Sequence, residues 1–378
     1  ITTVLLILKG NMMSKLKLIF LAIPLSFIFN VDINAQSTGM LEEVVVTAQK
    51  KEESLQDAPI AITAITASTI DDLDIANVVD LAGMAPNVHI INTPSNNTAA
   101  TIAIRGGSTT NPAITWEPTV GMYLDGVYLG KGQGSIFDVV DLERVEILRG
   151  PQGTLYGRNT LGGAINLISK KPSGAGTSAK VTLGNYGLRS TQLITDLEYG
   201  PNTFLKLVLN NKKTDGYVSM ATPSYGPSNG VVPSSVSSNT GLNAIDSTGY
   251  KLTLAYEGDT SSLSFSMDKT DQDNVPPFAQ LMYTIPNWSA AFGVGASAAA
   301  GGLKIAPIEL FSSPTRLANA SNDTRTYETS VVEGVSLTFT QEISIGTIKA
   351  IWSKRETAWD DHLDLDGSPY NIADTQRH

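Results

Sequence analysis

Cysteine is absent from the chain of 378 residues. A disulfide framework, a thiolate zinc site and a cysteine nucleophile are therefore excluded. Histidine is scarce, and its three copies are too scattered for a linear metal motif such as HExxH: His89, His362 and His378. The glycine and serine clusters lie in loop-like sequence and form no strand-to-helix nucleophile elbow. These absences favour a protein that is not an enzyme and that holds no cofactor and no metal.

An excess of positive charge is also missing. The 26 lysines and arginines are outnumbered by 36 aspartates and glutamates, which gives a formal net charge of -10. A nucleic-acid binder needs a basic surface, so that class is excluded. The glycine-rich stretch from Gly130 to Gly134 lacks the Gly-Lys-Ser/Thr ending of a phosphate-binding loop. The acidic run from Asp360 to Asp366 lacks the closing glutamate of a calcium loop, and we interpret it as a solvated rim.

The longest apolar run lies near the N-terminus, from Leu18 to Phe29. Lys15 and Lys17 precede it, and Ala35 then offers a small residue for cleavage. This order of positive, apolar and small residues predicts a secretory signal peptide, so we assign residues 1–35 to an upstream extension and a signal peptide. No apolar run of about 20 residues follows Ala35, so a membrane-embedded chain would need a closed β-sheet.

Residues 36–56 form a polar, flexible lead around a short β-branched run. Val44, Val45, Val46 and Thr47 have high strand propensity. Two interpretations stay open on these residues alone. The run is either the first edge strand of the following domain or a mobile strand that adds to the sheet edge of another protein.

Residues 57–172 have the pattern of a small α+β domain. Ile60 to Ile65 alternates as a strand, and the next segment predicts a helix that follows a capping Ser68 and runs to about Gly83. Asp125-Gly126 predicts a two-residue hairpin turn. The run from Asp141 to Pro172 predicts two strands joined by a compact glycine turn, because its glycines permit positive φ and close backbone contact.

Two polar, turn-rich loops interrupt this domain, at Asn92 to Ala99 and at Gly107 to Glu117. Loops on a rigid scaffold commonly carry ligand contacts. Asn96, Asn111 and Trp116 are therefore candidates for substrate binding. The alternative is a solvated loop residue or, for the tryptophan, a partly buried one.

Residues 173–378 change to strands of about ten residues, each with one apolar and one polar face. Two examples are Leu205, Leu207 and Leu209, and Leu263, Phe265 and Met267. Tight turns are expected near residues 200–201, 257–259 and 343–347, and they alternate with long polar connections. This alternation is typical of transmembrane β-barrels. About seven strands are present, whereas a plugged outer-membrane transporter needs about 22, so we expect an incomplete barrel.

Four stretches, in this order, resemble the TonB-dependent outer-membrane receptors. They are EEVVVTAQKKEESLQDAPIAITAI (Glu42 to Ile65), IAIRGG (Ile102 to Gly107), PTVGMYLDGVYLG (Pro118 to Gly130) and VEILRGPQGTLYGRNTLGGAINLISKKP (Val145 to Pro172). The resemblance implies an α+β plug domain followed by an antiparallel transmembrane β-barrel, of which the chain holds the N-terminal portion.

The resemblance also implies roles for individual residues. The segment that matches the TonB box, which an energising periplasmic protein grasps, is Glu43, Val44, Val45, Val46 and Thr47. The arginines beside glycines in the family motifs, implied to lock the plug onto barrel carboxylates, are Arg105, Arg149 and Arg158.

The leading hypothesis is an energy-coupled receptor in the outer membrane of a Gram-negative bacterium. It would bind a small-molecule or metal-chelate substrate, such as a ferric siderophore, cobalamin or a glycan. Its expected partners are TonB with an ExbB/ExbD-type energising complex and outer-membrane lipid, and we expect a monomer. The alternatives are a receptor that also signals to a periplasmic regulator, and a secreted or surface β-rich binding protein that retains a plug-like module without transport.

Overall fold

The computed structural model describes residues 44–93, 96–109, 117–132, 141–220, 241–277, 319–320, 326–364 and 374–377. Residues 43–378 belong to one compact unit. Within it, a region of mixed strands and helices that ends at Ser169 is followed by one long antiparallel sheet that begins at Gly176. We call these the N-terminal domain and the large sheet. None of the helices in the described ranges combines the length and the apolarity that crossing a membrane requires.

The N-terminal domain contains strands in three sheets. Its strands are β1 (Val45–Val46), β2 (Glu53–Ser54), β3 (Ile62–Thr66), β4 (Val88–Asn92), β5 (Ala100–Ile104), β6 (Gly107–Ser108), β7 (Val120–Leu124), β8 (Val127–Tyr128), β9 (Leu142–Arg149) and β10 (Gly163–Ser169). Its helical segments are α1 (Ala67–Asp72), a 3-10 helix (Val78–Leu81) and α2 (Gly153–Tyr156). The main sheet has the order β3-β9-β10-β7-β8, a second sheet has the order β4-β5-β6, and β1 pairs with β2.

Strands β9 and β10, which are the two strands predicted between Asp141 and Pro172, form the centre of the main sheet. On β9, Val145 and Ile147 are fully buried in the larger hydrophobic core, whereas Glu146 and Leu148 point to the opposite face. The predicted hairpin at Asp125-Gly126 joins β7 to β8, with φ angles of 52° and 87°. Two consecutive positive φ angles are the mark of a type I′ turn.

The prediction of one helix capped by Ser68 and running to about Gly83 is wrong. Helix α1 has only six residues, and its N-cap is Thr66, which accepts a backbone hydrogen bond at 3.4 Å. Asp74 then takes a positive φ of 49°, which ends the helix. A separate 3-10 helix begins after Asn77, whose side chain forms a capping box with Asp80. Two local caps therefore replace the single continuous helix that the apolar spacing indicated.

Gly163, at the start of β10, is a point of close backbone approach in the glycine turn. A methyl group there would fall on the carbonyl oxygen of Leu148 and would lie 2.9 Å from Cδ1 of Ile104. No side chain fits at this position, so glycine is required.

We expect Gly163→Ala to destabilise the N-terminal domain by about 1–3 kcal/mol, the range for an overpacked site. Gly153→Ala is the matched control, since nothing lies within 4 Å of a methyl group placed there. Denaturant unfolding of the two variants measures the difference. Equal unfolding midpoints would contradict this account of the turn.

The large sheet has eight strands in the order β11-β12-β13-β15-β16-β18-β19-β20. They are β11 (Gly176–Leu183), β12 (Arg189–Gly200), β13 (Thr203–Thr214), β15 (Ile245–Glu257), β16 (Ser261–Asn274), β18 (Tyr327–Ile343), β19 (Gly346–Asp364) and β20 (Asp374–Arg377). Two short strands, β14 (Ser219–Met220) and β17 (Asn319–Ala320), pair in parallel outside it. The predicted tight turns join β12 to β13, β15 to β16 and β18 to β19. A further tight turn, between β11 and β12, was not predicted.

The two faces of the large sheet are reversed relative to those of a soluble protein. Large apolar side chains are exposed along its strands, among them Leu197, Leu209, Leu254, Leu263, Phe265, Leu337, Phe339 and Trp352. Charged and polar side chains are buried, among them Asp196, Lys206, Gln272, Glu328 and Asp361. Such an arrangement is expected of a sheet whose outer face contacts lipid and whose inner face is filled by polar groups.

Candidate functional site

The segment Val44–Lys50 lies folded against the N-terminal domain. Strand β1 pairs with β2 in antiparallel register. Val46 is fully buried, whereas Val45 is 43% exposed. Glu43, the first residue of the predicted box, lies outside the described residues. In this conformation the segment is an edge strand of the domain, which was the first of the two interpretations.

A buried carboxylate of the main sheet holds this segment. Oε1 of Glu146 accepts hydrogen bonds from the Thr47 backbone N–H at 2.7 Å and from the Thr47 hydroxyl at 3.1 Å. The same oxygen accepts from Nε of Arg144 at 2.9 Å, and Oε2 accepts from the Asn166 amide at 3.3 Å. Glu146 has no exposed surface. Its hydrogen bonds are therefore made away from water, where charge-assisted bonds are strong.

Two tyrosines complete the contact. Tyr156 donates its hydroxyl proton to the carbonyl oxygen of Ala48 at 2.8 Å and accepts from the Asn166 amide at 2.6 Å. Tyr123 donates to the backbone carbonyl of Tyr156 at 2.6 Å. Burial raises the pKa of both phenols to about 12, so both remain neutral donors at physiological pH. We call these two tyrosines and Glu146 the cradle.

Sequence reasoning did not find the cradle. In the sequence of β9, LERVEILR, nothing distinguishes Glu146 from an ordinary exposed charged residue. Tyr156 lies in a glycine-rich turn. One available signal was the spacing of Arg144 and Glu146, because residues two apart on a strand share a face and these two carry opposite charges. Nothing in the strand's own pattern indicates that the N-terminal segment covers this face.

The three arginines implied to act as latches lie in the N-terminal domain. Arg105 is exposed, and its guanidinium lies 2.9 Å from where a methyl group on Gly150 would stand. Nε of Arg149 is buried and has no hydrogen-bond partner among the described residues. Arg158 is 82% exposed and lies 3.9 Å from Glu117 of the same domain. Within the described ranges, none of the three pairs with a carboxylate of the large sheet, and the latch role stays a prediction.

The polar loop from Asn92 to Ala99 packs against the large sheet. Asn96 is only 1% exposed, and its Oδ1 accepts from the backbone N–H of Ala99 at 2.6 Å. Its Nδ2 donates to Asp361 of β19 at 3.4 Å. Both ends of this side chain are thus engaged within the protein, and its proposed contact with substrate stays a prediction. Asn111 and Trp116 lie outside the described residues.

The strongest contact of this loop is with Glu328, near the start of β18. The Glu328 carboxylate accepts the backbone N–H of Asn97 at 2.7 Å, the backbone N–H of Thr98 at 3.0 Å, and the Thr98 hydroxyl. Glu328 has no exposed surface. Nδ2 of Asn97 also donates to the carbonyl oxygen of Val275 at 3.2 Å. A carboxylate of the sheet therefore binds backbone amides of the domain at this loop, a contact that the sequence did not predict.

Two lysines of the large sheet also reach the N-terminal domain. Nζ of Lys251 lies 2.5 Å from Oδ2 of Asp125 and 2.5 Å from Oγ of Ser169. Lys206 is buried, lies 3.1 Å from Asp141, and donates to two backbone carbonyls just after β10 at 3.1 and 3.2 Å. In these pairs the cation belongs to the sheet and the carboxylate to the domain, which is the reverse of the predicted arginine latch.

Acidification tests the Lys251 contact. Burial acts to raise the pKa of Asp125, but the Lys251 ammonium and two hydrogen bonds from Ser169 outweigh it and hold the pKa below its ordinary value of 3.8. A lowered carboxyl pKa stabilises the fold above the unfolded-state value, and that contribution is lost as the pH falls through the folded-state pKa. We therefore expect wild-type stability to fall more steeply below about pH 4 than that of Asp125→Asn. Parallel profiles of unfolding midpoint against pH would contradict this.

Comparison with known proteins places these features in a family. The family model described as TonB-dependent Receptor Plug Domain matches residues 54–164. The pesticin receptor of Yersinia pestis is 34% identical over 141 residues, which are 37% of this chain and 20% of that receptor. The vitamin B12 transporter BtuB of Vibrio vulnificus is 25% identical over 190 residues, 49% of this chain and 30% of the transporter. The catecholate siderophore receptor Fiu of Escherichia coli is 30% identical over 163 residues, 42% of this chain and 20% of Fiu. The matched segments thus span less than a third of each relative.

Solved structures share the fold. The ferripyoverdine receptor of the outer membrane of Pseudomonas aeruginosa gives a TM-score of 0.62 at 15% identity, covering 87% of this chain and 38% of that one. The ferric yersiniabactin uptake receptor FyuA from Yersinia pestis gives 0.57 at 17% identity, covering 80% of this chain and 42% of that one. The predicted architecture, an α+β plug followed by an incomplete antiparallel barrel, is confirmed, and the described part of the sheet has eight strands where about seven were predicted. The plug-domain match, the named relatives and the shared fold identify residues 54–164 as the plug domain of the TonB-dependent receptors.

Proposed function

We propose that the chain belongs to an energy-coupled receptor that binds a scarce solute outside the cell and admits it when its N-terminal box is pulled. The chain is an outer-membrane protein. The observation that carries the proposal is the reversed large sheet, whose exposed apolar side chains suit lipid and whose buried polar side chains hold the plug. We propose that the receptor is a monomer.

We propose that the segment from Glu43 to Thr47 binds the energising partner. TonB would add a strand to β1, and an ExbB/ExbD-type complex would supply the force. The exposure of Val45 supports this assignment, because its side chain stands at the surface of the docked segment. The latch role of Arg105, Arg149 and Arg158 remains part of the proposal.

The substrate class is proposed from the relatives' names. These name a pesticin receptor, a vitamin B12 transporter and a catecholate siderophore receptor. A ferric siderophore or a similar chelate, and cobalamin, are therefore the first substrates to test, and a glycan is the next. Asn96, Asn111 and Trp116 remain the proposed plug contacts to the substrate.

Uptake measured with and without a proton-motive force tests the proposal. Cells that lack their own siderophore and cobalamin receptors would express this receptor and be offered radioiron-loaded catecholate or radiolabelled cobalamin. We expect accumulation that stops on adding a protonophore or removing TonB, while binding in the cold persists. Accumulation that survives the protonophore would contradict energy coupling. Recovery of the protein without detergent would instead favour the secreted binding protein.

A further inference from the structure

We infer that Glu146 is a positioning residue that controls how readily the box segment becomes available to its partner, by occupying the edge of β1 that an added strand must use. This rests on the proposed function, since it takes Val44 to Thr47 to be the partner-binding strand. Glu146, a residue of the plug itself, thus competes with the partner protein for the outer edge of β1.

The two edges of β1 are distinguished by its hydrogen bonds. The Leu55 backbone N–H donates to the Val44 carbonyl at 2.8 Å, so Val44 faces β2. In an antiparallel pair, residues facing the partner alternate with residues facing away. Val46 therefore also faces β2, whereas the backbone groups of Val45 and Thr47 point to the outer edge. A strand supplied by another protein must pair with that outer edge or displace β2.

Glu146 already occupies the outer edge. Its Oε1 accepts the Thr47 backbone N–H at 2.7 Å, and this donor is one that an incoming strand would need. The partner's carbonyl must therefore replace a buried carboxylate that also accepts the Thr47 hydroxyl at 3.1 Å. A charge-assisted hydrogen bond of this kind is a stronger competitor than water would be.

The contact is also built to be released. When Thr47 leaves, the Glu146 carboxylate keeps the Arg144 guanidinium on Oε1 and the Asn166 amide on Oε2. Loss of the segment therefore does not strand a buried charge without partners, which would be costly. When the Ala48 carbonyl departs, the Tyr156 hydroxyl loses the acceptor of its proton, but its oxygen keeps the hydrogen bond donated by the Asn166 amide. The cradle can hold the segment firmly and still survive its departure.

A spin label at position 45 measures how much of the box segment is docked on the plug and how much is released. The 378 residues contain no cysteine, so Val45→Cys adds the single labelling site among them. The spectrum separates a docked, slow component from a released, fast component. We expect Glu146→Ala to raise the ratio of released to docked label about tenfold, the effect of losing a hydrogen bond to a charged group. Glu146→Gln keeps an acceptor oxygen and is expected to restore much of the docked component.

Glu143→Ala is the matched control. Glu143 lies on the same strand and pairs with Arg144, but it has no contact with Thr47. We expect its spectrum to resemble that of the receptor that carries the label at position 45 and no other substitution. A Glu146→Ala ratio close to the unchanged one would overturn the inference, and so would an equal rise in Glu143→Ala, since the effect would then belong to Arg144. Unfolding midpoints of the variants establish that the plug remains folded.

A binding measurement with the purified C-terminal domain of TonB distinguishes failure of this inference from failure of the proposed function. It uses unlabelled receptors without substrate. Tighter binding by Glu146→Ala than by the unchanged receptor supports both. Release of the label without tighter TonB binding overturns the inference. The contact between Glu146 and Thr47 would then not control how readily TonB reaches the box segment. If no variant binds TonB, with or without substrate, the proposed function fails as well.

Discussion

A Val45→Pro receptor is expected to bind its substrate as the unchanged receptor does and to lose energised uptake completely. Proline has no backbone N–H, and the N–H of Val45 points to the outer edge of β1, away from β2. The pairing of β1 with β2 does not use this donor, so the docked segment is expected to persist. What is lost is a ladder hydrogen bond to the partner's strand.

The control for this variant is Val45→Ala, which shortens the exposed side chain and keeps the backbone donor. Binding in the cold and accumulation in energised cells are measured for both variants. We expect the alanine variant to retain accumulation and the proline variant to show binding alone. Accumulation by the proline variant at the level of the alanine variant would remove Val45 from the partner contact.

The second large effect is expected from Glu328→Ala. This change leaves the backbone N–H groups of Asn97 and Thr98, and the Thr98 hydroxyl, without their carboxylate acceptor in a site closed to water. A buried donor left unpaired costs about 1–3 kcal/mol. Removal of a buried charge offsets part of that cost, and Asn96 Oδ1 still accepts from Thr98 at 3.0 Å. We expect a net loss of about 3 kcal/mol in the free energy of unfolding.

Two further substitutions test whether the effect of Glu328→Ala comes from the loss of the carboxylate acceptor. Glu328→Gln keeps an acceptor oxygen, and we expect about 1 kcal/mol of destabilisation. Glu333→Ala, at an exposed position on the same strand, is the control and should have little effect. Denaturant unfolding of the receptor in lipid vesicles gives the four values. A Glu328→Ala midpoint equal to that of Glu333→Ala would show that the loop does not depend on the carboxylate.

Much of the fold followed from periodicity and turn chemistry. The alternation of Leu263, Phe265 and Met267 predicted a strand of the large sheet, and Asp125-Gly126 predicted the β7–β8 hairpin. Both are local features, because a strand's face and a turn's φ angles depend on a few neighbouring residues. The helix beginning near Ser68 failed for the same local reason, since caps at Thr66 and Asn77 outweighed the apolar spacing.

The contacts of the candidate site depend on residues far apart in sequence, and they were not predicted. Glu146 meets Thr47 across 99 positions, and Glu328 meets Thr98 across 230. No periodicity within one strand reveals which distant segment covers it. The contacts that Glu328 and Lys206 make with the plug were not predicted for a related reason. Arginines stand out in sequence motifs, whereas backbone N–H groups and carbonyls, which Glu328 and Lys206 bind, are present at nearly every residue.

The reversed large sheet has a consequence for the movement of the plug. The hydrogen bonds and ion pairs described between plug and barrel are made by charged groups, hydroxyls and amides, and each of them can be solvated by water in place of its present partner. An apolar interface of the same extent would lose its hydrophobic stabilisation on opening. Here the opened interface rehydrates, so withdrawal of the plug exchanges one set of hydrogen bonds for another. Such an interior is well suited to a modest pulling force, because water entering the lumen compensates for each contact that breaks.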